Sequence, residues 1–152
     1  GYLIRKYSMT DIACLLQFRT VLETQGLEIS KNLITEADLD ELQEFCDFCN
    51  RLSPTEASRQ YVALNRKFHV MLISFAHNPY MTSTLANVMD QLKVALAADQ
   101  SIGNPQLSDH IEIVKALRQK DYEKAKGFLT YINDKVYGHI SLQSMNPEDL
   151  AR

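Results

Sequence analysis

The sequence is short of the residues that build turn-rich, stapled or membrane-spanning proteins. Five glycines and four prolines in 152 residues exclude a collagen-like repeat or a low-complexity chain and weigh against a sandwich of many tight turns. Three cysteines, Cys14, Cys46 and Cys49, are too few and of odd number for a disulfide framework, so a reducing, cytoplasmic setting is expected. No apolar run approaches the ~18 residues of a spanning helix, and residues 1–6 lack the hydrophobic stretch of a signal peptide. No membrane partner is expected. A basic excess is missing too, because 16 Lys and Arg stand against 19 Asp and Glu, a formal charge of −3. Such a surface is poorly suited to grip nucleic acid by itself.

What is present is ordinary globular material, 45% hydrophobic and 23% charged. A chain of this length buries roughly 68–70% of its unfolded surface, enough for one solid core. Six segments carry a helical period and none a convincing strand alternation. The first opens at Ser8 with Asp11 three residues on, and carries Ile12, Leu15, Leu16 and Leu22. The second opens at Thr35 with Asp38, followed by Leu39, Leu42, Phe45, Cys46, Cys49 and Leu52. The third opens at Ser53-Pro54 with Glu56 and runs through Val62, Leu64, Phe68, Leu72 and Phe75 to Asn78-Pro79. A fourth begins at Pro79 and carries Met81, Leu85, Val88, Leu92 and Leu96, up to the break at Gly103-Asn104-Pro105. A fifth follows from about Ser108, and Asp121 is a good N-cap for the sixth. Short connections favour antiparallel neighbours. The reading is a single all-α domain over 1–152, an antiparallel bundle of about six main helices, with a polar tail over 145–152.

The residues that could carry chemistry are few. Asn65 and His69 are four apart on one face of the third helix, which also carries Phe68 and Leu72 and should point inward. His110 opens the fifth helix in register with Val114 and Leu117 and should also point inward. Two histidines and an amide could line a polar cavity or hold a metal, or they could be histidines satisfied within the core. Arg19 and Glu23, four apart on the first helix, are either an ion pair along that helix or a guanidinium at the rim of the same cavity. No inward Asp or Glu is evident beside the histidines. Cys46-Asp-Phe-Cys49 lies in mid-helix on the apolar stripe and reads as core rather than as a redox or zinc motif. No nucleophile triad, phosphate loop or paired-carboxylate motif appears, so no enzyme is expected.

Several runs together resemble the FCD domain, the effector-binding half of FadR-type regulators in the GntR family. They are Ser8-Met-Thr-Asp11-Ile12, Arg19-Thr-Val-Leu22-Glu23, Thr35-Glu-Ala-Asp-Leu39, Asn65-Arg-Lys-Phe68-His69, Asn78-Pro79, His110 and Lys120-Asp121-Tyr-Glu-Lys-Ala125. The resemblance implies a homodimeric helical bundle that senses a small metabolite and modulates transcription. It also implies a winged-helix DNA-binding domain ahead of this region, residues 1–7 being the end of its linker. A start at Gly1 rather than Met fits an excised domain, and DNA contact is expected only through that missing part. The effector is expected to be an organic acid whose carboxylate pairs with Arg19, with Asn65, His69 and His110 as hydrogen-bonding partners; a branch of the family instead takes fatty acyl-coenzyme A. Many members hold a divalent metal, and the four ligand positions fall here on Asn65, His69, His110 and Ile132. An amide replaces a carboxylate and an aliphatic chain replaces a histidine, so at most a weakly held zinc or nickel ion is expected. The alternative from another class is a helical metalloprotein or metalloenzyme using His69 and His110.

Overall fold

A computed structural model describes residues 7–96 and 107–137, together with Glu148. Among the described residues there are six α-helices, one 3-10 turn and no strand. They are α1 (Met9–Ser30), α2 (Glu36–Asn50), α3 (Pro54–Ser74), α4 (Pro79–Leu96), α5 (His110–Arg118) and α6 (Tyr122–Tyr137), with the 3-10 turn Leu107–Asp109 leading into α5. The all-α bundle expected from the sequence is the fold. The expected break at Gly103-Asn104-Pro105, the tail over 145–152 apart from Glu148, and residues 1–6 lie outside the described residues.

The helices begin where their capping chemistry places them. Ser8, Thr35 and Ser53 each accept a hydrogen bond from the amide three residues on, and the side chains of Asp11, Asp38 and Glu56 accept one from the cap amide in turn. Each such cap is worth about 1 kcal/mol. Asn78 Oδ1 accepts from the amides of Tyr80 and Met81 at the start of α4, and Asp121 Oδ1 accepts from the Lys124 amide at the start of α6. The fifth helix differs from expectation, because its first turn from Ser108 is wound as a 3-10 turn. Asp109 makes no capping bond there and instead accepts from Lys135 Nζ at 2.9 Å, tying α5 to α6.

Helix α1 packs against α6, α4 and α3, α5 against α6 and α2, and α3 against α4. The main apolar cluster lies between α2, α3, α5 and α6 and includes Leu42, Phe68, Leu72, Ile113, Val114 and Leu129. A second cluster joins Ile12, Ala13 and Leu16 of α1 to Val88, Leu92 and Leu96 of α4. Burying an aliphatic or aromatic side chain of this size contributes about 1.5–3 kcal/mol. Cys46 and Cys49 sit in the main cluster as core residues; burial pushes the Cys46 thiol up to about 12.

The contact between α1 and α3 is unusually close at one point. A Cβ on Gly26 would lie 2.8 Å from Ile73 Cγ1. Gly26 is three residues beyond Glu23, and Ile73 is four beyond His69, so the missing side chain lets the two helices approach one turn away from those residues. This close approach positions the site.

Candidate functional site

The inward stripe of α1 runs Ile12, Leu16, Arg19, Glu23, Gly26 and Ser30, all buried, at the three- and four-residue steps of one helix face. Midway along, the positions a core would fill with Leu are taken by a cation and an anion. Arg19 is only 2% exposed and Glu23 3%, and Arg19 Nε donates to Glu23 Oε1 at 2.6 Å. The second oxygen, Glu23 Oε2, is held by the Nδ1 of His69 on α3, a residue with no exposed surface. Arg19 therefore does not stand at a rim, as one reading of the sequence had it; it is buried in an ion pair. The expectation that no carboxylate approaches the histidines is likewise corrected. Glu23 is that carboxylate, and its four-residue spacing from Arg19 was the only signal for it.

Burial pushes the Glu23 carboxyl upward, but the opposing charges and hydrogen bonds of His69 and Arg19 outweigh this and hold it down to about 2. Burial in turn lowers the His69 pKa against the pull of Glu23. At neutral pH the cluster is therefore an ionised Glu23 between a cationic Arg19 and a neutral His69, whose Nδ1–H donates to the carboxylate. This arrangement fixes the tautomer, and His69 Nε2 carries a lone pair.

His110 of α5 completes the aromatic side of the site. Its ring stacks on Phe68 with centroids 4.1 Å apart and meets the His69 ring edge-on at 5.1 Å. Burial lowers its pKa well below the ordinary value, helped by neighbouring His69 and Arg19. Asn65 lies on α3 one turn before His69 and is buried. Three buried acceptors in this region have no protein partner: His69 Nε2, Asn65 Oδ1 and Asn133 Oδ1. Asn133 on α6 was not anticipated from the sequence. Its Nδ2 donates to Thr20 Oγ1 at 3.0 Å, and Thr20 Oγ1 donates to the Leu16 carbonyl, linking α6 to α1 beside the ion pair. Ile132 sits in the main apolar cluster.

The ligand set that the resemblance implies for a metal does not fit these residues. Asn65, His69 and His110 offer only neutral donors, and Ile132 is hydrocarbon. Glu23, the one buried carboxylate among the described residues, is committed to Arg19 and His69. Among the described residues, no three or more His, Cys, Asp or Glu side chains group so as to hold an ion.

The described residues thus form an all-helical bundle with a charged, hydrogen-bonded cluster buried where α1, α3 and α5 meet. Residues 14–133 match the FCD domain, and the chain belongs to that family. It is 26% identical over 136 residues to an uncharacterized HTH-type transcriptional regulator, YdhC, of Bacillus subtilis (strain 168), covering 83% of this chain and 58% of that protein. Among solved structures it is similar to Streptococcus agalactiae GntR, with 28% identity, a TM-score of 0.62 and coverage of 81% of this chain and 57% of that one. Escherichia coli McbR/YncC shares the fold at 18% identity with a TM-score of 0.72, over 89% of this chain and 66% of that one. A GntR-family transcriptional regulator from Pseudomonas syringae pv. tomato str. DC3000 does so at 20% identity and 0.69, over 89% and 57%. The chain thus spans less than two thirds of the length of each of these proteins.

Proposed function

We propose that this chain is the effector-sensing and dimerisation domain of a GntR-family, FadR-type transcriptional regulator. It is not an enzyme in this reading, it works in the cytoplasm, and it meets DNA only through a separate winged-helix domain. The observation that carries the reading is the buried cluster of Arg19, Glu23, His69, His110 and Asn65, with acceptors that no protein group answers. Each such acceptor costs about 1–3 kcal/mol if left bare, so a fold keeps them where something else binds. A small metabolite engaging His69 and Asn65 would act on Glu23 and Arg19 of α1 through the His69–Glu23 bond, and different occupancy would favour different arrangements of the dimer. An organic acid is the first class to screen.

The dimer has a candidate surface. Cys14, Phe18 and Val21 are exposed at four- and three-residue steps along α1, and Phe18 shares a surface groove with Gln91 of α4. Val94, three residues further along α4, is also exposed. An apolar stripe of this kind on two neighbouring helices suits a second copy of the same face.

The test is capture of a metabolite from a cell extract, read by native mass spectrometry on the whole chain. A bound small molecule on a dimer is the expected result, lost on His69→Ala with the helical spectrum retained. A monomer with nothing bound from any extract would overturn the reading. So would a metabolite that fails to alter operator binding by the full-length regulator.

A further inference from the structure

We infer that Asn65 Oδ1 and His69 Nε2 together form a metal-independent recognition point for a pair of ligand hydroxyl groups, one donating to each. The inference rests on the effector-binding reading above and specifies what that site accepts. Its basis is the sense of the unanswered groups. Glu23 is an ionised carboxylate taking Nε–H of Arg19 on one oxygen and Nδ1–H of His69 on the other. With the Nδ1 proton so placed, His69 Nε2 is an acceptor, sealed from solvent and without a partner. Asn65 presents its carbonyl oxygen one turn away on the same helix, buried and equally unanswered. Residues at this spacing have Cβ atoms about 5–6 Å apart, near enough for one small polar ligand to reach both.

Two neighbouring lone pairs select what can sit before them. A carboxylate brings only further acceptors and is turned away. A divalent cation would find neutral donors alone, no uncommitted anion, an apolar Ile132, and the charge of Arg19, which already disfavours protonation of both histidines. An ammonium meets that same charge without a carboxylate of its own to pair with. A pair of hydroxyls, as in a vicinal diol, supplies one proton to each acceptor without bringing a charge, and the Phe68 ring stacked on His110 supplies an apolar flank for its carbons. An organic acid binding here would then be recognised by its hydroxyls rather than by its carboxylate.

The experiment is nitrogen-15 NMR of the histidine side chains in the whole chain, with ethylene glycol and zinc chloride as separate probes. In the free protein His69 should show a protonated Nδ1 and a lone-pair Nε2. Ethylene glycol should move the Nε2 resonance saturably, with half-saturation in the millimolar range for so small a fragment. One equivalent of zinc should leave it in place. Asn65→Leu, with the same branching and number of side-chain heavy atoms, should weaken the glycol response at least tenfold while the helical spectrum is retained. Asn65→Asp with Ile132→His should instead raise zinc affinity at least a hundredfold over the unmodified chain. A proton on Nε2, a glycol response that is absent or never saturates, or stoichiometric zinc binding by the unmodified chain would each overturn the inference. A metabolite captured from extract with no glycol response would sink the hydroxyl inference and leave the effector reading standing. Glycol binding with no metabolite that alters operator binding would do the reverse.

Discussion

The two sides of the interior are built on opposite principles. Between α2, α3, α5 and α6 the core is almost wholly hydrocarbon, with Leu42, Leu72, Ile113 and Leu129 interlocked. Where α1 meets α3 and α6, the same depth of burial holds Arg19, Glu23, His69, Asn65 and Asn133. The first side gains stability from every side chain it hides. The second spends stability on desolvating charges and recovers it through ordered bonds such as those that Arg19 and His69 donate to Glu23. A fold that already has an apolar core has no structural need for a charged one, and the polar side is the one on which the proposed function rests.

The contrast breaks most sharply at Glu23. Glu23→Leu should cost about 3–5 kcal/mol, because it strands the Arg19 guanidinium in the interior. Adding Arg19→Met to that variant should recover most of the loss, as replacing a whole buried ion pair with apolar groups is often neutral or better. Leu42→Ala on the hydrocarbon side should cost about 2–5 kcal/mol with no comparable rescue. Urea unfolding of the four proteins tests all three statements. Recovery absent from the double variant would mean the pair is structural.

Acid should separate the two sides as well. The pKa values of His69 and His110 are lowered in the fold, and that of Glu23 is lowered from 4.5 to about 2. In every case the unfolded chain binds the proton more readily than the folded one. Stability is therefore full above the ordinary histidine range. It declines as pH falls below it, then declines further as pH drops through the ordinary carboxylate range toward about 2. The Glu23 part alone is on the order of 3 kcal/mol. Urea midpoints measured down to about pH 3 should fall in the unmodified protein, and the Arg19→Met, Glu23→Leu variant should keep the histidine part of that fall and lose the part in the carboxylate range.

Two smaller substitutions probe the frame around the cluster. Gly26→Ala should cost about 1–3 kcal/mol, since its methyl group would press on Ile73 and push α1 away from α3. The same change should weaken the Glu23–His69 contact, readable in the histidine resonances. Lys120 adopts the left-handed conformation with φ 57 after α5, where its amide and that of Asp121 close the helix end onto Leu117 and Ala116. Lys120→Gly should gain about 0.5–1 kcal/mol, the cost of a side chain in that region.

The hydrocarbon side was legible in the sequence because its signal is periodic. Leu39, Leu42, Phe45, Cys46 and Cys49 announce α2, and Ser53-Pro54 with Glu56 announces α3. The polar side was legible only in pieces. On α1 the apolar period stops at Leu16 because Arg19 and Glu23 take over the inward positions, which made the weaker pattern through Leu15 and Leu22 look like the core. Those two leucines are only partly buried. His69 and His110 were found as inward imidazoles, but the bond joining Glu23 to His69 spans 46 residues, and no local spacing encodes it. Gly26 and Asn133 act through contacts made by other helices, and nothing in their own neighbourhoods marks them.

The most direct test of the claim that the polar cluster is kept for binding is the unfolding free energy of Asn65→Leu in the ligand-free protein. Leu keeps the branched shape and the number of side-chain heavy atoms of Asn and removes an acceptor that no protein group satisfies. The variant should be as stable as the unmodified protein or more stable by about 1 kcal/mol, while losing its response to ligand. A loss of about 2 kcal/mol or more would mean that Asn65 supports the fold itself, and would contradict the assignment of this cluster to a binding site.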